Sequence, residues 1–200
     1  MADERNRMLE QLNTDDWQEC RQSVLIVDDS AMNRRMLTEI LGGRFDTAEA
    51  TSGEECLHLL EENRDGISIV LLDIHMEGMD GFAVLEEMDR QKMLEDIPVI
   101  MISSEDSGKY ISEAYGFGVS DYIRRPFDAR VVYQRVLNTI KLYSKQRRLL
   151  RLVTYQIQEK ERSNRIMIGI LSQIVEFRNS ESGPHVIHLN IISRLLLEQL

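Results

Sequence analysis

One uninterrupted apolar run constrains the fold of this chain more than any other stretch. Residues 69–72 read Ile-Val-Leu-Leu, and Asp73 follows them directly. A run that is short and continuous is typical of a strand buried on both faces, as in a parallel sheet. Asp73 then lies at the carboxyl end of that strand, where ligands of open α/β sheets bind. An aspartate at this point is a helix cap, a metal ligand or a nucleophile, and this stretch alone does not decide which.

Strands and helices alternate five times along the chain. Predicted strands lie at 24–27, 44–49, 69–73, 98–102 and 119–123, with helices predicted near 30–41, 52–63, 82–88 and 108–115. Ser30 is the expected cap of the first helix. The alternation predicts an α/β fold with a five-stranded, doubly wound parallel sheet and right-handed crossovers.

The pattern changes after Asp128. No proline or glycine interrupts the sequence between Pro126 and Gly169. A helix of that length would extend about 60 Å, which is too long for one small domain. A seven-residue row is formed by Val136, Tyr143, Leu150, Ile157, Asn164 and Leu171, and a broken second row contains Ile140, Val153, Met167 and Ile174. We expect a coiled-coil linker over 131–165 that pairs two chains as a homodimer, the alternative being a helix packed on its own domain.

Composition narrows the functional classes. The formal net charge of −10 argues against general nucleic-acid binding, and no recognition-helix motif accompanies the basic residues near 141–151, so DNA binding is not expected. The two cysteines, Cys20 and Cys56, have no metal or redox spacing, which fits a reducing cytosol. No apolar run approaches the roughly 20 residues that span a bilayer, so we expect a cytoplasmic protein that does not enter the membrane.

Polar side chains follow four of the predicted strands and would gather at one edge of the sheet. These residues are Asp28, Asp29, Asp73, Ser103 and Arg125. Carboxylates so close repel one another, and a hard divalent cation with oxygen ligands, most naturally Mg²⁺, resolves that repulsion. One oxygen of Asp73 would remain free to attack a phosphoryl group, which Ser103 and Arg125 could grip. For each residue alone, a helix cap or a strand end is the simpler interpretation.

Five motifs together resemble the receiver domain of two-component response regulators, a flavodoxin-like fold. They are Val27-Asp28-Asp29-Ser30, Leu72-Asp73-Ile74, Met79-Asp80-Gly81-Phe82, Ile102-Ser103-Ser104 and the segment from Asp121 to Phe127. The resemblance implies that Asp28, Asp29 and Asp73 bind Mg²⁺ and that Asp73 accepts phosphate from a sensor histidine kinase or a phosphotransfer protein. It also implies that Ser103 and Tyr122 act as the switch.

Two positions depart from the receiver pattern. Arg125 stands where the family usually has lysine, and the planar, forked guanidinium is not equivalent to an ammonium at a tight phosphoryl site. Glu77 stands where the family often has proline, which adds negative charge near the site.

The last segment has a second resemblance. Residues 174–185 are similar to the opening of HD-GYP domains, metal-dependent phosphodiesterases of cyclic di-GMP, and Glu181 and His185 match two of that family's metal ligands. The given sequence ends at Leu200 without a His-Asp pair or a Gly-Tyr-Pro motif. We therefore expect a metal half-site without phosphodiesterase activity in these 200 residues, or simply exposed turn residues.

These observations divide the chain into four predicted parts. An N-terminal arm covers 1–22, the receiver covers 23–130, the helical linker covers 131–165, and a helical start of an HD-GYP-like output domain covers 166–200. The leading hypothesis is a response regulator that accepts phosphate on Asp73 and signals through the long helix. The alternative is a cyclic di-GMP phosphodiesterase whose catalytic part is missing from this chain.

Overall fold

The computed structural model describes residues 22–104, 108–126 and 128–178. Within these ranges, strands and helices alternate as the sequence predicts. The strands are β1 (Ser23–Val27), β2 (Asp46–Ala50), β3 (Ile67–Asp73), β4 (Val99–Ser103) and β5 (Asp121–Arg124). The helices are α1 (Ala31–Leu41), α2 (Gly53–Glu62), α3 (Gly81–Arg90), α4 (Gly108–Gly116) and α5 (Ala129–Arg178). A short 3₁₀ helix, Arg64–Gly66, leads into β3.

The five strands form one parallel sheet in the order β2-β1-β3-β4-β5. The prediction of a five-stranded, doubly wound sheet is therefore confirmed. All seven residues of β3 are buried, as its central place in the sheet requires. Because the strands are parallel, the carboxyl ends of β1, β3, β4 and β5 lie along the same edge.

Two strands begin later than the sequence pattern predicts. The N–H groups of Arg44 and Phe45 donate to the carbonyl of Leu41, so these residues close the end of α1 rather than open β2. Val119 belongs to the turn before β5, where Gly118 adopts a positive φ of 87°. Turn hydrogen bonds therefore delay the start of both strands. A pattern of apolar residues does not reveal such bonds.

A separate apolar cluster covers each face of the sheet. One contains side chains of α2, α3 and α4, including Leu60, Leu85 and Ala114. The other contains Leu37 and Leu41 of α1 together with Val132, Val136 and Ile140 of α5. The alternating residues of β1, β3, β4 and β5 divide between the two clusters, as strands covered on both faces require.

The first turns of α5 therefore belong to the receiver core. The assignment of Val136 and Ile140 to the coiled-coil rows is wrong, since both pack against the sheet. A seven-residue spacing and a helix that packs on a sheet place apolar residues at overlapping positions, so the sequence pattern did not separate the two roles.

Side chains cap the N-termini of α2 and α3, whereas the predicted cap of α1 does not form. Ser52 accepts a hydrogen bond from the N–H of Glu55 at 3.2 Å, and Asp80 accepts one from Ala83 at 2.8 Å. Ser30 occupies the N-cap position of α1 but makes no side-chain cap bond, which corrects the expectation that it caps this helix. Its N–H instead donates to Oδ1 of Asp28 at 2.8 Å, so Ser30 supports the acidic loop, which consists of Asp28 and Asp29 after β1.

Helix α5 runs without a break over 50 residues, which confirms the predicted long C-terminal helix. The chain divides into two compact units, Met1–Arg147 and Arg148–Leu200, and α5 contributes residues to both. Among the described residues, no helix combines the length and apolarity needed to cross a bilayer.

A close backbone approach fixes the start of α3 beneath the end of β3. The N–H of Gly81 donates to the carbonyl of Ile74 at 2.9 Å, and a Cβ at Gly81 would lie 2.3 Å from the carbonyl oxygen of Asp73. Only a residue without a side chain allows this approach without moving the backbone that carries Asp73.

We expect Gly81→Ala to destabilise the fold by about 1–3 kcal/mol, because the added methyl group overpacks the contact with β3. Gly43→Ala is the matched control, since a Cβ there meets nothing within 4 Å. Urea unfolding of both variants measures the difference, and equal stability of the two would contradict the close-approach argument.

Candidate functional site

Three carboxylates meet at the carboxyl edge of the sheet. Asp28 and Asp29 follow β1 and Asp73 ends β3, and one oxygen of each lies within 4.8 Å of the others. Asp28 is 1% exposed and Asp73 is 5% exposed, whereas Asp29 is open to solvent. The sequence thus placed these residues at strand ends, and the parallel sheet brings them together.

Donors from Ser30 and from the first turn of α1 hold the carboxylate of Asp28 in place. Its Oδ1 accepts hydrogen bonds from the N–H of Ser30 at 2.8 Å and from Nδ2 of Asn33 at 3.1 Å. These bonds satisfy one oxygen of a buried carboxylate, which would otherwise be costly.

Arg34 braces the backbone of the acidic loop, and the sequence reasoning missed it along with Asn33. Its Nη1 donates to the carbonyls of Asp28 at 2.8 Å and Asp29 at 3.2 Å, while its Nε pairs with Glu49 of β2 at 2.9 Å. The spacing from Asp29 places Asn33 and Arg34 on the first turn and a half of α1, facing the loop. That spacing was the signal by which the sequence could have indicated their contact with the loop. It does not distinguish these side chains from solvent-exposed ones.

Arg125 bridges two of the carboxylates. Its Nη2 pairs with Oδ2 of Asp28, and its Nη1 lies 3.2 Å from Oδ1 of Asp73. Its backbone N–H donates to the carbonyl of Ser103 at 2.7 Å, which anchors the residue at the end of β4. Its Nε is buried and has no hydrogen-bond partner. One guanidinium therefore offsets part of the negative charge of two buried groups.

Ser103 and Tyr122 lie next to this arrangement on β4 and β5. Ser103 is fully buried at the last position of β4. Tyr122 is 8% exposed and belongs to the apolar cluster that contains α2, α3 and α4. Both residues thus lie inside the domain, near the strand ends at which the carboxylates meet.

The departure at position 77 has a structural consequence. The N–H of Glu77 donates to Oδ2 of Asp29 at 3.3 Å. Proline, which is common at this position in receivers, has no N–H and could not make this bond. The loop after β3 therefore contributes a donor to the third carboxylate.

Burial raises the pKa of the Asp73 carboxyl from 3.8 to about 6. The positive charge of Arg125 opposes this shift, and the negative charges of Asp28 and Asp29 add to it. In the absence of a metal, the charged form of Asp73 is thus disfavoured in the folded chain.

The donor set fits a hard divalent cation. All three clustered ligands are carboxylate oxygens, which Mg²⁺ prefers, and the exposed Asp29 leaves the cluster open to solvent on one side. Among the described residues, this is the one group of three or more metal-ligating side chains close enough to share an ion.

Comparison with known proteins agrees with this geometry. The family model described as the response regulator receiver domain matches residues 24–137, which is more than half of the chain. This chain belongs to the response regulator receiver family. Receiver domains bind Mg²⁺ at an acidic pocket, and the cluster of Asp28, Asp29 and Asp73 has that character.

Curated relatives and solved structures resemble the same part of the chain. A chemotaxis protein CheY homologue of Campylobacter jejuni is 32% identical over 115 residues, covering 56% of this chain and 88% of its own. A Borrelia burgdorferi CheY, solved as a CheX–CheY–BeF₃–Mg²⁺ complex, is 34% identical with a TM-score of 0.54, over 58% of this chain and 87% of its own. A CheY-like receiver from Methanospirillum hungatei shares the fold with a TM-score of 0.58 at 21% identity, over 64% of this chain and 99% of its own.

The structure brings four of the predicted receiver residues together at the sheet edge. Asp28, Asp29 and Asp73 lie together, and Arg125 pairs with Asp28 and Asp73. Ser103 and Tyr122 lie on the adjoining strands β4 and β5. The predicted half-site of Glu181 and His185 lies outside the described residues, as does the N-terminal arm up to residue 21.

The raised pKa of Asp73 predicts a pH-dependent stability. The folded chain holds the Asp73 proton more tightly than the unfolded chain, so stability falls as pH rises from about 4 to about 6 and stays low above that. In chelator at pH 7, we expect Asp73→Asn to be more stable than the parent by about 1–2 kcal/mol, because it removes a buried charge.

Thermal unfolding between pH 4 and pH 8 tests this expectation. Asp65→Asn, an exposed aspartate before β3, is the control and should show no such gain. A stability difference for Asp73→Asn that is absent at pH 7, or that does not shrink towards pH 4, would contradict the assigned cause.

Proposed function

We propose that this receiver accepts a phosphoryl group on Asp73 from a histidine kinase or a phosphotransfer protein, with Mg²⁺ held by Asp28, Asp29 and Asp73. The observation that carries the proposal is the convergence of three carboxylates within 4.8 Å at the sheet edge, with Asp73 at its centre strand. The Mg²⁺ in the related Borrelia burgdorferi complex supports the same chemistry here.

The residues divide the task of phosphoryl transfer between them. An oxygen of Asp73 forms the new bond to phosphorus while the bond to the donor's imidazole nitrogen breaks, and the leaving nitrogen takes up a proton. When bound, the cation offsets the negative charge that crowds the site. Asp28 and Asp29 hold it, and the donors from Ser30, Asn33 and Arg34 keep those two residues in place.

Ser103 and Tyr122 are proposed to report the state of Asp73. The Ser103 side chain lies at the end of β4, the strand next to β3, where a hydroxyl could donate to a phosphoryl oxygen. Tyr122 packs inside the adjacent cluster, so any movement of β4 and its loop changes the packing around its ring. These two residues would pass a local charge change to the surface of the domain.

We expect the chain to incorporate one phosphoryl group when incubated with acetyl phosphate and Mg²⁺, and Asp73→Asn to incorporate none. Intact-protein mass spectrometry measures the product, and the control variant Asp65→Asn should be labelled like the parent. Chelation of Mg²⁺ should abolish labelling, because one guanidinium against three carboxylates leaves a net negative charge that repels the incoming phosphate. Labelling that persists in Asp73→Asn or in chelator would overturn the proposal.

The long helix is proposed to pair two receivers as a homodimer. Beyond the receiver core, α5 carries large apolar side chains that are more than half exposed, among them Leu150 at 60% and Ile157 at 54%. Leu150, Ile157 and Leu171 share one seven-residue spacing, while Val153, Met167 and Ile174 share another. A sustained spacing of seven residues favours a two-stranded supercoil, and an isolated exposed helix of this kind has little to stabilise it.

We expect Leu150→Asp combined with Ile157→Asp to shift the chain from dimer to monomer, since two buried charges per chain oppose the seam. Arg151→Asp with Gln158→Asp is the control, because it adds aspartates at the same spacing one position away. Sedimentation velocity over a range of concentrations, with and without phosphorylation, provides the measurement. A monomeric parent at high concentration would refute the pairing.

The HD-GYP-like output domain stays a prediction from sequence. The family model ends at residue 137, and Glu181 and His185 are not among the described residues. One solved structure with a similar fold is the receiver of an HD domain-containing protein from Pseudomonas fluorescens, but at 20% identity that likeness concerns the fold alone. The cytoplasmic location and the expectation of no DNA binding also stay predictions.

A further inference from the structure

Arg125 holds a position in which it and a metal ion would need the same oxygen. Oδ1 of Asp28 already accepts from Ser30 and Asn33, and Oδ2 is paired with Nη2 of Arg125. Oδ2 is therefore the less occupied oxygen for a cation at Asp28, and there the cation meets the positive guanidinium, which repels it. The same guanidinium reaches Asp73 at 3.2 Å through Nη1, so it spans the two buried carboxylates.

A forked side chain is what makes this bridge feasible. Arginine presents separate nitrogens in one plane, whereas lysine, the usual residue here in receivers, has a single ammonium at the end of a flexible stem. An ammonium can neutralise charge, but it does not offer two nitrogens held at a fixed spacing. The bridge between Asp28 and Asp73 is thus a consequence of arginine at position 125.

The third carboxylate also has a protein donor. The N–H of Glu77, which a proline would lack, donates to Asp29 at 3.3 Å. Each of the three acidic residues therefore has a partner supplied by the chain itself. The departures from the receiver pattern at positions 77 and 125 thus both provide partners for carboxylates and so stabilise the cation-free state.

We propose that Arg125 is a tethered counter-ion that competes with Mg²⁺ for Asp28 and so sets the Mg²⁺ concentration at which the receiver becomes competent. The proposal rests on the assignment of the acidic cluster as the Mg²⁺ site. On metal binding, the guanidinium of Arg125 would release Oδ2 of Asp28. It would keep its contact with Asp73. The buried Nε, which has no partner in the bridged arrangement, then becomes available to an oxygen placed at Asp73.

Competition makes two measurements move in opposite directions. Arg125→Lys keeps the charge but loses the fork, so it should lower the unfolding midpoint in chelator while making Mg²⁺ binding about tenfold tighter. A residue with a merely structural role would weaken both. Arg130→Lys, the same exchange on an exposed residue at the start of α5, should leave both quantities unchanged.

Isothermal titration of the full chain with Mg²⁺, together with thermal unfolding in chelator, tests the inference. Tighter Mg²⁺ binding by Arg125→Lys with lower cation-free stability supports it, and equal or weaker binding overturns it. Absence of saturable Mg²⁺ binding in the parent and in both variants would instead overturn the Mg²⁺ site itself. The two failures are therefore distinguishable.

A measurement on the unaltered chain keeps the inference testable even if Arg125→Lys does not fold. In the bridged arrangement the Nε–H of Arg125 is buried, so its exchange with solvent should be slow. Nitrogen-15 NMR should show this exchange accelerating with the same Mg²⁺ midpoint as the amide shifts of Asp28 and Asp29. An Nε–H resonance whose exchange is unchanged at Mg²⁺ saturation would overturn the competition.

Discussion

The need to hold negative charges together at one edge of the sheet governs the structure of this receiver. Asp28 and Asp73 are almost fully buried, and burial of a carboxylate is unfavourable unless partners compensate it. The compensation comes from several directions: donors of α1 at Asp28, the fork of Arg125 from the end of β5, and the N–H of Glu77 at Asp29. Much of the conformation around the strand ends follows from providing these partners.

The sheet can carry these clustered charges because it is well packed on both faces. Strand β3 is buried along its whole length, apolar clusters cover both faces of the sheet, and Gly81 lets α3 start against the backbone of Asp73. Stability is thus supplied by the two cores, while the edge of the sheet retains a repulsion between carboxylates that a bound cation relieves.

Helix α5 has two roles along its length. Its first turns complete the core through Val132, Val136 and Ile140, and its later turns carry exposed apolar side chains at a spacing of seven residues. A single helix that contributes to both the core and a candidate pairing surface offers a direct physical connection between them.

The sequence by itself determined the order of the elements, the parallel sheet and the strand-end positions of Asp28, Asp29, Asp73, Ser103 and Arg125. These follow from local patterns, since a short apolar run that ends in a polar residue can be recognised within a few positions. Turn hydrogen bonds shortened β2 and β5, and the packing of α5 on the sheet overruled its seven-residue pattern at Val136 and Ile140.

Only the tertiary structure decided which residues contact the three carboxylates. Asn33 and Arg34 become part of it because α1 turns back over the acidic loop, and the backbone N–H of Glu77 does so because of the path of the β3–α3 loop. The bridge from Arg125 to Asp28 joins residues 97 positions apart. Such contacts depend on side-chain direction and on which strands become neighbours, and parallel crossovers fix both only when the whole sheet has formed.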